Sequence, residues 1–274
     1  MRAHELGLVS NHKLTTKTEK REKMKKRRSK GRRFVREVIY TTGEFVDIDI
    51  FPVFQPQGKR RSKCNPTSEI QQQLNQKNAE RKLIRLIHNN FTEEDIALTL
   101  TYKVQPENIT VAGKLLSNFL RRLKGLRKKL GLEPLKYITV TEVGKRNGRI
   151  HHHLILSGGI DRDVLEELWA LGFANSQRLQ FGQNGVTGLA MYFVKDRQTY
   201  RRWNSSRNLE RPEPQIQDGK TSLEELDDME TAHESSMFWQ YIEARYPYEL
   251  TEFVFIKNAV NKGCYIHIEM RRRQ

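Results

Sequence analysis

The chain is 274 residues long, enough for one large domain with appendages, and its 36% hydrophobic content suffices for a core while leaving part of the chain outside it. Lys+Arg total 49 against Asp+Glu 33, a formal net charge of +16 that favours a polyanionic partner, nucleic acid first and an anionic membrane surface second. No apolar run approaches the roughly 18 residues of a membrane span and no apolar segment follows the basic N-terminus, so the expected location is cytoplasmic, with no membrane partner. Cys64 and Cys264 lie far apart without a CxxC neighbour and are expected to be reduced thiols.

Residues 1–33 are polar and dense in charge, through Lys20-Arg21-Glu22-Lys23-Met24-Lys25-Lys26-Arg27-Arg28. Such a tract buries too little apolar surface to offset its ordering entropy, so it reads as a flexible basic arm, either gripping phosphates or simply solvated. Residues 34–63 read as a hairpin and linker. Val38, Ile39 and Tyr40 lead into a turn near Gly43, and Phe45 to Phe51 alternates apolar residues with Asp47 and Asp49. The two aspartates share a strand face, expected to be the wet face of an edge hairpin. Residues 64–274 read as one domain with its core at 95–200. Asn65-Pro66 signals a helix start, and Ile70, Leu74, Leu83, Leu86 and Ile87 recur at near-helical spacing as far as Asn89-Asn90. The polar face of that helix carries Lys77, Arg81, Lys82 and Arg85, read as solvated or DNA-facing.

Asp95 to Tyr102 alternates as a strand should. A helix from about Asn108 to Leu130 gathers Leu115, Leu116, Phe119, Leu120, Leu123 and Leu126 on one side. Arg121, Arg122, Lys124, Arg127, Lys128 and Lys129 form its outer basic face, and Gly131 and Pro134 stop it. Tyr137 to Glu142 is the next strand, and Lys145-Arg146-Asn147-Gly148 has turn composition, so the following strand returns antiparallel. That strand opens on His151-His152-His153. Alternation sends His151 and His153 to one face with Ile155, and His152, Leu154 and Leu156 to the other. Two imidazoles side by side are a ready ligand pair for a divalent metal, against the blander alternative of a solvated strand end. Antiparallel pairing brings Glu142 close to His151, completing a 2-His-1-carboxylate set with open positions. His152 is expected to face the core.

Asp161 to Leu171 reads as a helix and Phe173 to Phe181 as a strand. Gly185 opens a further helix in which Tyr192 and Lys195, three apart, share a face. Residues 204–248 read as an exposed insertion with an amphipathic helix near 222–245, followed by a C-terminal hairpin over 251–270 with its turn at Asn261-Lys262-Gly263.

Three signals therefore stand in order: Leu98-Thr99-Leu100-Thr101-Tyr102, the Gly148-Arg149-Ile150-His151-His152-His153 strand, and Tyr192-Phe193-Val194-Lys195. Together they resemble the three motifs of the HUH endonucleases, nearest to the single-tyrosine rolling-circle replication initiators (Rep) of plasmids, phages and mobile elements. The resemblance runs from Asn65 to about Leu209. His152 stands where the family usually has a bulky apolar residue. Tyr200 lies eight residues beyond Tyr192, not the four of a two-tyrosine initiator, which favours a single nucleophile.

The resemblance implies an α+β fold, a central antiparallel sheet flanked by helices in the RNA-recognition-like or ferredoxin-like manner. It implies Mg2+ or Mn2+ held by His151, His153 and Glu142, and Tyr192 as a nucleophile that forms a 5′-phosphotyrosine and frees a 3′-hydroxyl. Lys195 would lower the phenol's pKa, hold the phosphate or order the metal site. Single-stranded or origin DNA would be contacted by Arg149, Lys145, Arg146, Thr99, Thr101, Arg121, Arg122 and Lys128, with a host helicase and DNA polymerase as partners in a bacterial cytoplasm. The implied function is nicking and rejoining of single-stranded DNA at a replication origin. The alternatives are a relaxase or single-tyrosine transposase with the same chemistry, and a non-catalytic nucleic-acid-binding protein on the same fold.

Overall fold

The computed structural model describes residues 33–54, 69–144, 148–194, 203–232, 235–257 and 264–273. In chain order its elements are β1 (Arg33–Thr42), β2 (Phe45–Phe54), α1 (Glu69–His88), β3 (Ile96–Thr101), α2 (Ile109–Lys129), β4 (Tyr137–Val143), β5 (Ile150–Leu156) and α3 (Arg162–Glu167). There follow β6 (Ala174–Arg178), α4 (Thr187–Val194), β7 (Asn204–Ser205), β8 (Gln215–Asp218), α5 (Leu223–Ala232), α6 (Ser236–Arg245), β9 (Glu249–Lys257) and β10 (Cys264–Arg271). The fold is α+β, as the alternation of strand and helix periods leads one to expect.

The strands form two antiparallel sheets. One has the order β6-β3-β5-β4-β7, and the run β3-α2-β4-β5-α3-β6 that builds most of it is the βαββαβ sequence of a ferredoxin-like core. Alternation along its strands gives each face a separate set of side chains. Leu98, Leu100, Leu154 and Leu156 pack on one face beneath Leu116, Phe119 and Leu123 of α2 and Trp169 after α3. Ile138, Val140 and Ile155 pack on the other beneath Leu83, Ile87, Ala190 and Phe193 of α1 and α4. The ends of α2 are set by local chemistry. The Asn108 carboxamide accepts from Thr110 N and Val111 N, each at 3.0 Å. At the other end Gly131 takes φ +67° while Leu132 N donates to Arg127 O and Gly131 N to Lys128 O, a Schellman ending.

The second sheet, β8-β1-β2-β10-β9, joins the two ends of the chain: β2 pairs with β10, with Asp49 opposite His267 and Asp47 opposite Glu269. Val46, Ile48, Ile50, Ile266 and Ile268 face Leu226, Met229, Phe238 and Ile242. Residues 204–248 are therefore not an exposed insertion. β7 extends the first sheet by pairing with β4, β8 extends the second by pairing with β1, and α5 and α6 bury their apolar faces on the second sheet.

Asp47 and Asp49 also differ from expectation. They are 5% and 9% exposed, because α1 lies across the face they share. Arg85 Nε donates to Asp47 Oδ2 at 2.7 Å, Arg85 Nη2 donates to Asp49 Oδ2 at 3.0 Å, and the guanidinium lies 3.9 Å from the Tyr40 ring centre. Tyr265 donates to Asp49 Oδ1, and His267 Nδ1 stands 2.6 Å from the same oxygen. α1 thus packs leucine and isoleucine on the first sheet and guanidinium on the second. The sequence pattern revealed the shared face of the two aspartates but not the cation 36 residues away that makes burying them possible.

Burial by itself would raise the Asp49 pKa, but the hydrogen bond to His267 and the charge of Arg85 outweigh it and hold the carboxyl well below its usual range. Burial would lower His267, but its hydrogen bonds to Asp49 and Glu269 outweigh that and raise it. Asp49 therefore contributes stability above its unfolded pKa and loses it as pH falls below about 4, whereas His267 contributes fully below about 6.5 and loses it as pH rises through its raised folded value. Urea denaturation should show a stability maximum between those limits. Asp49→Asn should flatten the acid limb and His267→Asn the alkaline one, and unchanged limbs in the variants would remove these groups as the cause. Arg85→Ala, which strands two buried carboxylates, should cost about 3–5 kcal/mol in the same measurement.

Candidate metal centre

Glu142, His151 and His153 meet on the face of the first sheet that carries α1 and α4. β4 and β5 pair in the register that sets Glu142 directly opposite His151 and Val140 opposite His153. β3, on the other flank of β5, sets Thr101 opposite His151 and Thr99 opposite His153. Cross-strand partners share a face, so five polar side chains of three strands stand together where the helix cover thins. Glu142 Oε2 is 3.3 Å from His151 Nε2 and 3.4 Å from His153 Nε2. The two imidazoles are nearly perpendicular, with centroids 5.3 Å apart.

These separations suit a shared ion. Two donors bound at about 2.1 Å to one cation, at angles near 90–109°, stand about 3.0–3.4 Å apart. The three ligand atoms lie within 4.8 Å of one another, and among the described residues no other group of His, Cys, Asp and Glu does so. Two nitrogens and a carboxylate oxygen on one side, with the other side open, are a donor set for a divalent cation that also takes substrate oxygens. Burial, and then the neighbouring His151, lower the pKa of His153 against the opposing pull of Glu142, so the ring is held neutral. Thr99 Oγ1 lies 3.2 Å from His153 Nδ1. With Nδ1–H donated to that hydroxyl, Nε2 presents its lone pair toward Glu142, the tautomer in which a histidine serves as a metal ligand.

His152 points the other way and is fully buried. Thr141 Oγ1 lies 2.9 Å from its Nδ1, Tyr102 Oη lies 2.7 Å from its Nε2, and Tyr102 donates to Ala112 O. One neutral tautomer satisfies the whole chain: Thr141 donates to Nδ1, Nε2–H donates to Tyr102, and Tyr102 donates to α2. Burial, reinforced by the two flanking histidines, pushes the His152 pKa down to about 4, and burial raises Tyr102 to about 12. The middle histidine ties the sheet to α2.

α4 approaches the centre through Phe193, which is buried with its ring 6.0 Å from that of His153. The start of α4 is fixed by α1, because His88 Nε2 accepts the Val186 N–H at 3.2 Å while its ring stacks on Phe45 at 4.1 Å. Gly185, at φ +63°, permits this approach, since a Cβ there would collide with the His88 ring. Tyr192 is the helix residue before Phe193. Its side chain lies outside the described residues, as do Lys195, Lys145 and Arg146.

Of the expected DNA contacts, Thr99 and Thr101 lie beside the histidines, though the Thr101 hydroxyl donates to Phe173 O. Arg149 sits at the start of β5 and donates to Tyr102 O at 2.9 Å. Arg121, Arg122 and Lys128 are exposed on the outer side of α2, which covers the opposite face of the sheet from the metal centre. Arg127, expected on that outer face, is instead 4% exposed and donates to the carbonyls of Glu133, Ser157 and Gly158. Sequence reasoning missed Arg85 and His88 altogether as positioning residues. Each reads locally as a polar residue at the end of a helix, and only the packing of α1 between the sheets assigns it a partner.

The sequence profile of a replication-associated protein family, that of ORF2, matches residues 95–197. That segment, less than half the chain, runs from β3 through α4 and contains the whole cluster. No curated protein and no solved structure matches the chain significantly. Among the described residues no helix is long and apolar enough to cross a membrane.

His152→Ala removes a ring at 0% exposure and leaves Thr141 and Tyr102 without their shared partner. It should lower unfolding free energy by roughly 3 kcal/mol. A thermal melt indistinguishable from that of the parent protein would mean that this network does not hold the sheet to α2.

Proposed function

We propose that the protein is a single-tyrosine rolling-circle replication initiator that nicks and rejoins single-stranded DNA at an origin, with Mg2+ or Mn2+ as cofactor. The observation that carries the reading is the Glu142–His151–His153 cluster, one carboxylate within 3.4 Å of two imidazoles, lying inside the segment that matches a replication-associated family. His151 and His153 through Nε2, and Glu142 through its carboxylate, are the residues that hold the cation. When bound, the cation supplies positive charge that polarises the scissile phosphate and stabilises charge as it develops there.

The chain's own residues do the rest. Thr99 keeps His153 in one tautomer and one orientation, so the site is organised before DNA arrives. Tyr192 is the nucleophile: its oxygen forms the new bond to phosphorus while the P–O3′ bond breaks. The phenol proton is lost, and the departing oxygen takes up a proton to become the 3′-hydroxyl that primes synthesis. A phenol with an ordinary pKa near 10 needs help at neutral pH, and Lys195 is the cation assigned to that help. Rejoining is the reverse reaction, in which a 3′-hydroxyl attacks the phosphotyrosine. A host helicase and a DNA polymerase complete the cycle, the one opening the duplex and the other extending the 3′ end.

Incubation with a pool of single-stranded oligonucleotides and Mn2+ should give a covalent protein–DNA band that Tyr192→Phe abolishes while DNA binding persists. Identical bands in the two proteins would exclude Tyr192 as the nucleophile. His151→Ala combined with His153→Ala, or chelation by EDTA, should remove the band as well. Thr99→Val should weaken Mn2+ binding about 10–100-fold by calorimetry, and undiminished affinity would remove Thr99 from the support of the site.

A further inference from the structure

A cleft of about 820 Å3 opens between α1, the segment 203–212 and the charged face of the second sheet. We infer that it binds the sugar–phosphate backbone of a single DNA strand running on from the metal centre. This rests on the reading of the protein as acting on single-stranded DNA, and adds where the strand goes once it has left the cluster.

Charge is the first argument. Five cations line the cleft, Arg81, Lys82 and Arg85 from α1 and Arg207 and Arg211 from the segment after β7, against one carboxylate, Asp49. Arg85 is spent on Asp47 and Asp49, and Arg81 lies 3.8 Å from Asp49. Lys82, Arg207 and Arg211 are exposed, and among the described residues none has a carboxylate within 4.0 Å. Three uncompensated positive charges around one concave surface are a polyanion site. The exposed side chains of Asn204 and Ser205 add neutral groups able to bond phosphate oxygens.

Continuity with the cluster is the second argument. β7 pairs with β4 so that Asn204 stands opposite Thr139. Continuing that register by one residue sets Trp203 opposite Val140, which is itself opposite His153. Two strand spacings of about 4.8 Å separate Trp203 from His153, a span that two or three nucleotides cover at about 3.4 Å of rise each. Trp203, half-buried, lines the cleft and offers an aromatic face at its entrance, on which an unpaired base can stack. An unpaired base is what a single strand provides and a duplex does not.

The test measures binding of labelled oligothymidylate across a salt series by fluorescence anisotropy, with Lys82→Ala/Arg207→Ala/Arg211→Ala compared with the parent protein. Each lost phosphate contact on a single strand lowers the slope of log K against log salt by about 0.7. The triple variant should therefore lose about 2 from its slope and roughly 10–100-fold in affinity near 0.15 M salt. The matched set Arg121→Ala/Arg122→Ala/Lys128→Ala on α2 should lose less. Separately, oligothymidylate should quench the intrinsic fluorescence of the parent protein, and Trp203→Phe should remove that quench. An unchanged slope in the cleft variant, an equal loss from the α2 set, or an equal loss with duplex DNA overturns the inference. The readout needs no cleavage. A parent protein that shows the slope but never forms the Tyr192 adduct sinks the nicking reading and leaves the cleft standing.

Discussion

The site depends on the register of one strand. β5 lies between β3 and β4, and its pairing with both puts Glu142, His151 and Thr101 in one row and Val140, His153 and Thr99 in the next. Because side chains alternate, a slip of one residue would exchange the faces, burying the outer histidines beneath α2 and turning His152 toward the carboxylate. Two sets of contacts oppose that slip. His152, Tyr102 and Thr141 form a hydrogen-bonded chain in the core, and Leu154 and Leu156 fill the same face. The residue with no part in the chemistry is thus what keeps its two neighbours facing the right way.

A second constraint acts at α1, a helix with two unlike partners. Its apolar side closes the core over Ile138, Val140 and Ile155, and its Arg85 sits on the carboxylates of β2. Buried ion pairs add little net stability over a well-packed apolar contact, yet breaking one is costly, so they specify a geometry more than they strengthen it. Here the geometry specified is the placement of the second sheet against the first. His88, at the end of the same helix, carries that placement onward by holding the start of α4, the element that bears Phe193 and Tyr192.

The cleft follows from the same arrangement. Had the second sheet packed on the first through apolar faces alone, no concave polar surface would separate them. The acidic face of β2 and β10 instead meets a basic helix, whose remaining cations face the segment after β7. A metal cluster that engages one phosphate and a charged cleft beginning two strands away suit a substrate that is a chain rather than a small molecule. The basic face of α2, on the far side of the sheet, is a separate surface.

Much of the ferredoxin-like core was legible in the amino-acid sequence, because it is made of local signals: period-two runs in β3, β4 and β5, a leucine stripe and cap residues in α2, a short turn composition between two strands. Those same signals, with no tertiary information, placed His151 and His153 on one face and Glu142 beside them, since a hairpin's register is a local property. They mistook what depends on contacts distant in sequence. Asp47 and Asp49 read as a wet edge because an alternating strand looks the same whether its polar face meets water or a guanidinium. Residues 204–248 read as exposed because β7 and β8 are too short to show a period, and α5 and α6 reveal their buried side only once a sheet is there to receive it. Arg127 read as surface charge, although its guanidinium gathers three carbonyl groups that come from two different loops. The sequence by itself determined which residues can bind a metal and on which face of a strand they lie. Only the tertiary structure decided which charges are spent within the protein and which remain for a partner, because that balance is set by the packing of α1 between two sheets drawn from opposite ends of the chain.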